Sequence, residues 1–217
     1  IGLEEARRCA DAIASTNFRP DVVFTSVLRR AIHTNQLVIE SLGIKDIEII
    51  KSWRLNERHY GALTGLNKIE TVQKYGEEQV LKWRRSFDIP PPAVEENSQY
   101  NFRNDPLYSD IPCSTIPLTE CLKDVCKRVK PFYENVIAQR LLDGQNVLIV
   151  AHGNSLRALI KDLENVPELD IVNFELPTAT PRIFEFNKDL SVKSAAFIED
   201  EEEVAARCAN VKAQTKK

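Results

Sequence analysis

Residues 147–160, VLIVAHGNSLRALI, contain the pattern that decides the fold. The apolar run up to Ala151 is typical of a central strand that is buried on both faces. Leucine and isoleucine then recur at helical spacing through residue 163, which predicts an amphipathic helix. His152 and Gly153 therefore lie between a strand and a helix, where free backbone N–H groups and the helix dipole favour an anion. The alternative is a histidine that is merely hydrogen-bonded in a tight turn.

A second junction of this kind lies earlier in the chain. DVVFTS, residues 21–26, reads as a strand, and the pattern after it predicts a helix with Ser26 as N-cap and Gly43 as stop. Arg29 and Arg30 then lie at the amino end of that helix, where the dipole disfavours a cation. A bound anion would relieve this conflict. Two such junctions at one sheet edge predict a phosphate or carboxylate ligand.

The other segments complete an alternating pattern of strands and helices. Further helices are predicted over 3–16, 67–87 and 119–142, and further strands at 47–50, 182–187 and 191–198. We expect the helix over 67–87 to be interrupted at Gly76 and the helix over 119–142 to bend at Pro131. The pattern predicts an α/β fold, with a mostly parallel central sheet covered by helices on both faces. We expect one domain over 1–217, with the acidic and then basic C-terminal tail as a frayed terminus.

Composition excludes several classes of function. The net charge is −3 and 28% of the residues are charged, so attraction of the whole molecule to nucleic acid or to an anionic membrane is not expected. No apolar run approaches the roughly 20 residues that cross a bilayer. The five cysteines are odd in number and lack C-x-x-C spacing, which favours reduced thiols in the cytoplasm over disulfides or a zinc site.

Cationic side chains in two further segments strengthen the prediction of an anion site. The segment SWRLNERHYGALTG contains Arg54, Glu57, Arg58, His59 and Tyr60, and KWRRSF contains Arg84 and Arg85. The planar fork of arginine donors suits phosphate. Glu57 is a candidate for proton transfer beside a bound polyanion, or it simply pairs with Arg54 or Arg58.

The residues favour phosphoryl chemistry without a metal. There is no clustered Asp/His/Cys set with metal-ligand spacing and no Walker-type glycine loop. Arginines and an imidazolium could supply the positive charge that a transferring phosphoryl group needs. His152 could instead be the covalent nucleophile, and the residues alone leave these two roles open.

Four motifs, in order, resemble the phosphoglycerate mutase branch of the histidine phosphatase superfamily. They are TSVLRRAIHT, SWRLNERHYGALTGLNKIET, WRRSFDIPPP and AHGNSLRAL. The resemblance implies a three-layer α/β sandwich and a cytoplasmic enzyme of glycolysis and gluconeogenesis, commonly a dimer or tetramer. It further implies interconversion of 3-phosphoglycerate and 2-phosphoglycerate through a phosphohistidine, primed by 2,3-bisphosphoglycerate and without a metal.

The resemblance also implies a role for each matching residue. Arg30 would hold the transferring phosphoryl group, Glu57 would be the general acid/base, and His152 would stabilise the phosphoryl group in transit. Substrate phosphate and carboxylate would be bound by Arg58, Tyr60, Lys68, Arg84, Arg85, Gly153 and Asn154.

One family feature is not found in the printed chain. The family's nucleophile lies in an RHG motif on the first strand, and the sequence contains no RHG. We expect that a strand and loop precede the helix at residue 3 in the complete protein, because losing a central parallel strand would expose apolar surface and unpaired backbone. Two other readings stay open: a bisphosphoglycerate mutase or phosphatase, and a catalytically silent anion-binding protein.

Overall fold

The computed structural model describes residues 2–215 and has the predicted α/β architecture. The strands are β1 (Val22–Thr25), β2 (Glu48–Lys51), β3 (Val147–Val150), β4 (Arg182–Phe186) and β5 (Val192–Phe197). The helices are α1 (Gly2–Ser15), α2 (Arg29–Ser41), α3 (Lys68–Tyr75), α4 (Glu77–Arg85), α5 (Leu122–Phe132), α6 (Ala138–Leu142), α7 (Gly153–Leu163), α8 (Glu168–Ile171) and α9 (Glu201–Thr215). Short 3-10 turns occupy the irregular stretch between α4 and α5.

The three-stranded sheet brings both predicted junctions to one edge. Its order is β2-β1-β3, and β1 pairs in parallel with both neighbours. Thr25 is level with Lys51 on one side and with Val150 on the other. The segments that follow the three strands therefore leave the sheet together, as the sequence predicted.

Helices cover both faces of this sheet and make three layers. Val22 and Phe24 of β1 are fully buried in a core cluster with residues of α5 and α7. Leu148 of β3 points the other way, against Ala10 of α1 and Val38 of α2. The alternation of side chains along each strand thus separates the two cores, and the three-layer sandwich is confirmed.

Several local predictions are corrected by the structure. The helix after β1 begins at Arg29, with Leu28 rather than Ser26 at the N-cap. The long helix near Pro131 continues past the proline, but a π-helical turn over Tyr133–Ile137 separates α5 from α6.

The sheet and the C-terminal tail also differ from the expected arrangement. β4 and β5 form an antiparallel hairpin apart from the parallel sheet. The tail, expected to fray, forms α9, and Val204 of that helix is buried. None of the helices in the described range has the length and apolar character that crossing a lipid bilayer requires.

Candidate active site

His152 is the N-cap residue of α7 and is buried at the carboxyl end of β3. Its Nε2 lies 2.7 Å from the Oγ of Ser26, and its Nδ1 accepts a hydrogen bond of 3.1 Å from the Nε of Arg30. Burial, and then the positive charge of Arg30, lower the pKa of His152 to about 4. In this state the ring is neutral at pH 7 and faces a cation.

Glu57 lies in the loop after a 3-10 turn over Trp53–Leu55, and it reaches the same point. Its Oε1 accepts from the backbone N–H of Arg58 at 2.8 Å and from that of Asn154 at 3.3 Å. The carboxylate therefore occupies part of the anion position at the amino end of α7. The sequence had assigned that position to a ligand alone.

Arg58, Tyr60 and Asn154 form a connected wall beside Glu57. The guanidinium of Arg58 stacks 4.5 Å over the Tyr60 ring, and the Nδ2 of Asn154 lies 3.2 Å from the Tyr60 hydroxyl. Arg58 is buried and also donates to the carbonyl oxygens of Trp83 and Arg84, both at 3.2 Å. These two bonds tie the loop to the end of α4.

Three of the four remaining predicted binding residues lie near this wall. Arg85 donates to the carboxylate of Glu175 at 2.6 Å, while Arg84 contributes the carbonyl that Arg58 contacts. Gly153 is the first residue of α7. Lys68 is the first residue of α3, and its side chain lies outside what the structure describes.

A cavity of about 990 Å³ opens next to His152. Arg30, Glu57, His152 and Gly153 line one part of it, and apolar residues of β3 and of the β4 segment line much of the rest. Three side chains from separate parts of the sequence therefore meet at one cavity, as the two-junction argument requires.

A buried ion pair that the sequence analysis missed supports the loop that carries Glu57. The Nε of Arg128 donates to one carboxylate oxygen of Glu120 at 2.7 Å, and its Nη2 donates to the other oxygen at 2.9 Å. The ion pair is therefore bidentate. Arg128 also donates to the carbonyl oxygens of Arg54 at 2.6 Å, Asn56 at 3.0 Å and Glu57 at 3.3 Å. We call Glu120 and Arg128 the clamp.

Arg157 is a further cation that the sequence analysis did not single out. It donates to the Oδ1 of Asn154 at 3.3 Å and to the carbonyl of Ile171. Its buried Nε, like that of Arg58, has no hydrogen-bond partner in the described part of the chain. Unsatisfied buried donors are costly, so an anion that reached either group would be bound favourably. Arg157 lies one helical turn after Asn154, which is the signal that could have identified it.

The two remaining histidines have other surroundings. His33 lies on α2 and is exposed. His59 is buried with its ring edge-on to Phe102, 4.5 Å between centroids, and burial lowers its pKa to about 4. His59 is thus a neutral core histidine. Among the described residues, no group of three or more His, Cys, Asp or Glu side chains could hold a metal ion.

The relationship to known proteins agrees with this geometry. The model of the Histidine phosphatase superfamily (branch 1) matches residues 1–114 and 97–197. The chain belongs to the histidine phosphatase superfamily. Within this superfamily it is 49% identical, over 189 residues, to a 2,3-bisphosphoglycerate-dependent phosphoglycerate mutase of Cutibacterium acnes. A protein of the same name from Thermobifida fusca is 47% identical over 190 residues. These matches cover 87% and 88% of this chain and 76% and 77% of the relatives.

Solved structures of histidine phosphatase-fold proteins share the architecture at lower identity. A mycobacterial glucosyl-3-phosphoglycerate phosphatase in complex with VO3 has a TM-score of 0.64 and 20% identity, over 90% of this chain and 82% of that one. The α-ribazole phosphatase of Shigella flexneri has a TM-score of 0.56 and 22% identity, over 90% and 79%. At these identities the comparison supports the fold alone.

Proposed function

We propose that the protein is a 2,3-bisphosphoglycerate-dependent phosphoglycerate mutase. It interconverts 3-phosphoglycerate and 2-phosphoglycerate through a phosphohistidine that 2,3-bisphosphoglycerate primes, and it uses no metal. One observation carries the proposal: Arg30, Glu57 and His152 line one cavity in a chain that is 49% identical to a mutase of that name.

The geometry supports a division of labour among these side chains. Arg30 holds the phosphoryl group in transfer, since its guanidinium already faces His152 across 3.1 Å. His152 stabilises that group, and Glu57 moves the proton of the substrate hydroxyl. The backbone N–H groups that hold Glu57 keep its carboxylate in place for this.

The remaining predicted residues bind the rest of the substrate. Their cationic and hydroxyl groups suit the phosphate and carboxylate of a phosphoglycerate. They are Arg58, Tyr60, Lys68, Arg84, Arg85, Gly153 and Asn154.

The nucleophilic histidine has to come from another segment. Of the three histidines in the printed chain, His33 is exposed on α2, His59 is a core residue and His152 already has its place beside Arg30. We propose that an extended strand carrying the nucleophile lies against β3 and completes a single domain with residues 1–217. In its support, β3 is apolar yet only half-buried, and within residues 2–215 it pairs with β1 alone.

The cavity has the composition that such a strand would need. It runs along all four residues of β3 and past β4, between α1 on one side and α7 on the other. An apolar strand that paired in parallel with the free edge of β3 would place its carboxyl end next to Arg30. We further propose that the protein is cytoplasmic, that it forms a homodimer or homotetramer, and that it binds no nucleic acid or membrane.

An assay with and without the primer tests the proposal. Purified protein is incubated with 3-phosphoglycerate, and formation of 2-phosphoglycerate is followed as 2,3-bisphosphoglycerate is added. We expect turnover that depends on the primer, together with acid-labile phosphate on the protein. Mutase turnover that does not respond to the primer would contradict the mechanism. Synthesis or hydrolysis of the bisphosphate as the main reaction would identify a bisphosphoglycerate mutase or phosphatase.

The missing RHG motif favours one alternative function, a silent anion-binding protein. Intact mass spectrometry of the native protein distinguishes the two. A mass that matches these 217 residues alone, with no acid-labile phosphate after incubation with 2,3-bisphosphoglycerate, would establish the silent protein. A larger mass and a labile phosphate would support the mutase.

A further inference from the structure

Ser26 lies directly after β1, fully buried, at the point where the sheet meets the cavity. The parallel register that aligns Thr25 with Val150 brings Ser26 level with the end of β3. The Oγ1 of Thr25 also donates to the carbonyl of Val150 at 2.7 Å, which fixes the two strand ends together. Ser26 and His152, 126 residues apart in sequence, are therefore held side by side.

The hydrogen bonds determine which ring nitrogen of His152 carries the proton. Arginine has donors but no acceptor, so the contact from the Nε of Arg30 makes Nδ1 an acceptor without a proton. In the neutral ring the proton is then on Nε2, and Nε2–H donates to the Oγ of Ser26. The same oxygen also accepts from the backbone N–H of Leu28 at 3.2 Å. A hydroxyl oxygen can accept both bonds.

We propose that Ser26 is a positioning residue for His152, which anchors Nε2–H and leaves Nδ1 as the ring atom directed at Arg30 and the phosphoryl position. This role deepens the proposed function and rests on it for the identity of the anion. Without Ser26 the buried Nε2–H would lose its acceptor, and the ring could turn away from the cavity to find another.

The surrounding charges explain why a fixed Nδ1 matters. Burial is the largest cause of the lowered pKa of His152. Arg30 from α2 and Arg128 from α5 lower this pKa further, while Glu57 raises it. A bound phosphoryl group would offset the two cations and favour protonation at Nδ1 by solvent. For this step the Nε–H of Arg30 would leave Nδ1 and donate to the phosphoryl group instead. Nδ1–H would then donate to a phosphoryl oxygen, while Nε2–H stays on Ser26. The anchored ring thus changes its charge without changing its orientation.

A second buried serine provides a matched control. The Oγ of Ser155 accepts from the backbone N–H of His152 at 3.1 Å and donates to its carbonyl at the same distance. Ser155 and Ser26 are equally small, both are buried, and both contact His152. Only Ser26 contacts the ring, so a role in general packing would make the two serines equivalent.

Histidine ring signals, recorded on the full-length protein with 15N-labelled histidine, test the inference without any turnover. In the wild type we expect His152 to show a hydrogen-bonded Nε2–H and an unprotonated Nδ1. Ser26→Ala removes the hydrogen-bond shift of Nε2–H, Ser155→Ala retains it, and Ser26→Thr, which keeps the hydroxyl, restores it.

Affinity for orthovanadate, a stand-in for the phosphoryl group, gives a second measurement by calorimetry. We expect Ser26→Ala to weaken binding about fivefold to tenfold, as for loss of one buried hydrogen bond, and Ser155→Ala to change it less than about twofold. A proton on Nδ1 in the wild type overturns the inference even if the variants fail to fold. So do equal ring signals in Ser26→Ala and Ser155→Ala. Failure of the primer assay, by contrast, counts against the proposed mutase function and does not change the ring signals that are expected from the contact between Ser26 and His152.

Discussion

Arg128→Met is the substitution that best tests how the loop carrying Glu57 is held. The side chains of the clamp residues Arg128 and Glu120 are only 7% and 2% exposed. Methionine fills similar volume but removes every donor. The carboxylate of Glu120 would then remain buried with the backbone N–H of His59, at 2.9 Å, as its described partner.

The expected loss of stability follows from what remains behind. Breaking a buried pair by removal of one partner costs about 3–5 kcal/mol, because an uncompensated charge stays buried. The three loop carbonyls that Arg128 contacts also lose their donor, although water can reach a loosened loop. Replacing both partners, as in Glu120→Leu with Arg128→Met, removes the buried charge. We therefore expect the double variant to be more stable than the sum of the single losses predicts, by about 2–3 kcal/mol.

Urea unfolding of the wild type, of Arg128→Met, of Glu120→Leu and of the double variant measures these free energies of unfolding. Lys82→Met is the control, since Lys82 pairs with Glu78 at 2.7 Å on the exposed face of α4, where solvent screens the ion pair and its loss changes stability little. If Arg128→Met costs no more than Lys82→Met, the clamp does not hold the loop. Single losses that add exactly as independent sites would show that the two side chains are not coupled.

Three further predictions concern the site and its loop. The folded pKa of His59, about 4, lies below its ordinary 6.5, so unfolding takes up protons between these values and stability falls as pH drops from 6.5 to 4. His59→Phe should weaken that pH dependence, as measured by urea unfolding at pH 7 and at pH 4.5. If the wild type and His59→Phe lose the same free energy of unfolding between these two pH values, His59 is not the cause. Gly61→Ala should cost about 2–4 kcal/mol, because its Cβ would lie 2.1 Å from a backbone oxygen at φ +54°, whereas Gly144→Ala, in open space, should cost about 1 kcal/mol; equal thermal shifts would contradict this. Arg30→Ala should mainly lower kcat and Arg84→Ala mainly raise KM; in steady-state kinetics, equal effects on both parameters would contradict this division.

The parts of the fold that follow local patterns were predictable from the sequence. The apolar run before Ala151 and the helical spacing after it identified β3 and α7, and the β-branched run before Ser26 identified β1. Parallel neighbours must release their loops at the same sheet edge. That constraint is why Arg30 and His152 could be placed together without coordinates.

Contacts between distant residues were not predictable, because no local pattern encodes them. Arg128 lies on α5 among other charged residues, and its partners on the loop are 71 to 74 residues away. Ser26 has the residue type of an N-cap, and that local reading was wrong. The helix begins at Arg29, and the Ser26 hydroxyl lies 2.7 Å from the His152 ring while it accepts from the backbone N–H of Leu28.

The two halves of the site differ in how completely they are built. On one side the clamp, Ser26 and the backbone N–H of Asn154 hold Glu57 and His152 through hydrogen bonds. On the other side, the cavity along β3 is bounded mainly by apolar side chains. A strand seated there would bury β3 and deliver its terminal residues to Arg30 in the same step. Completing the core and completing the active site would then be one event, so a variant that weakens the seating of that strand should lose stability and phosphoryl transfer together.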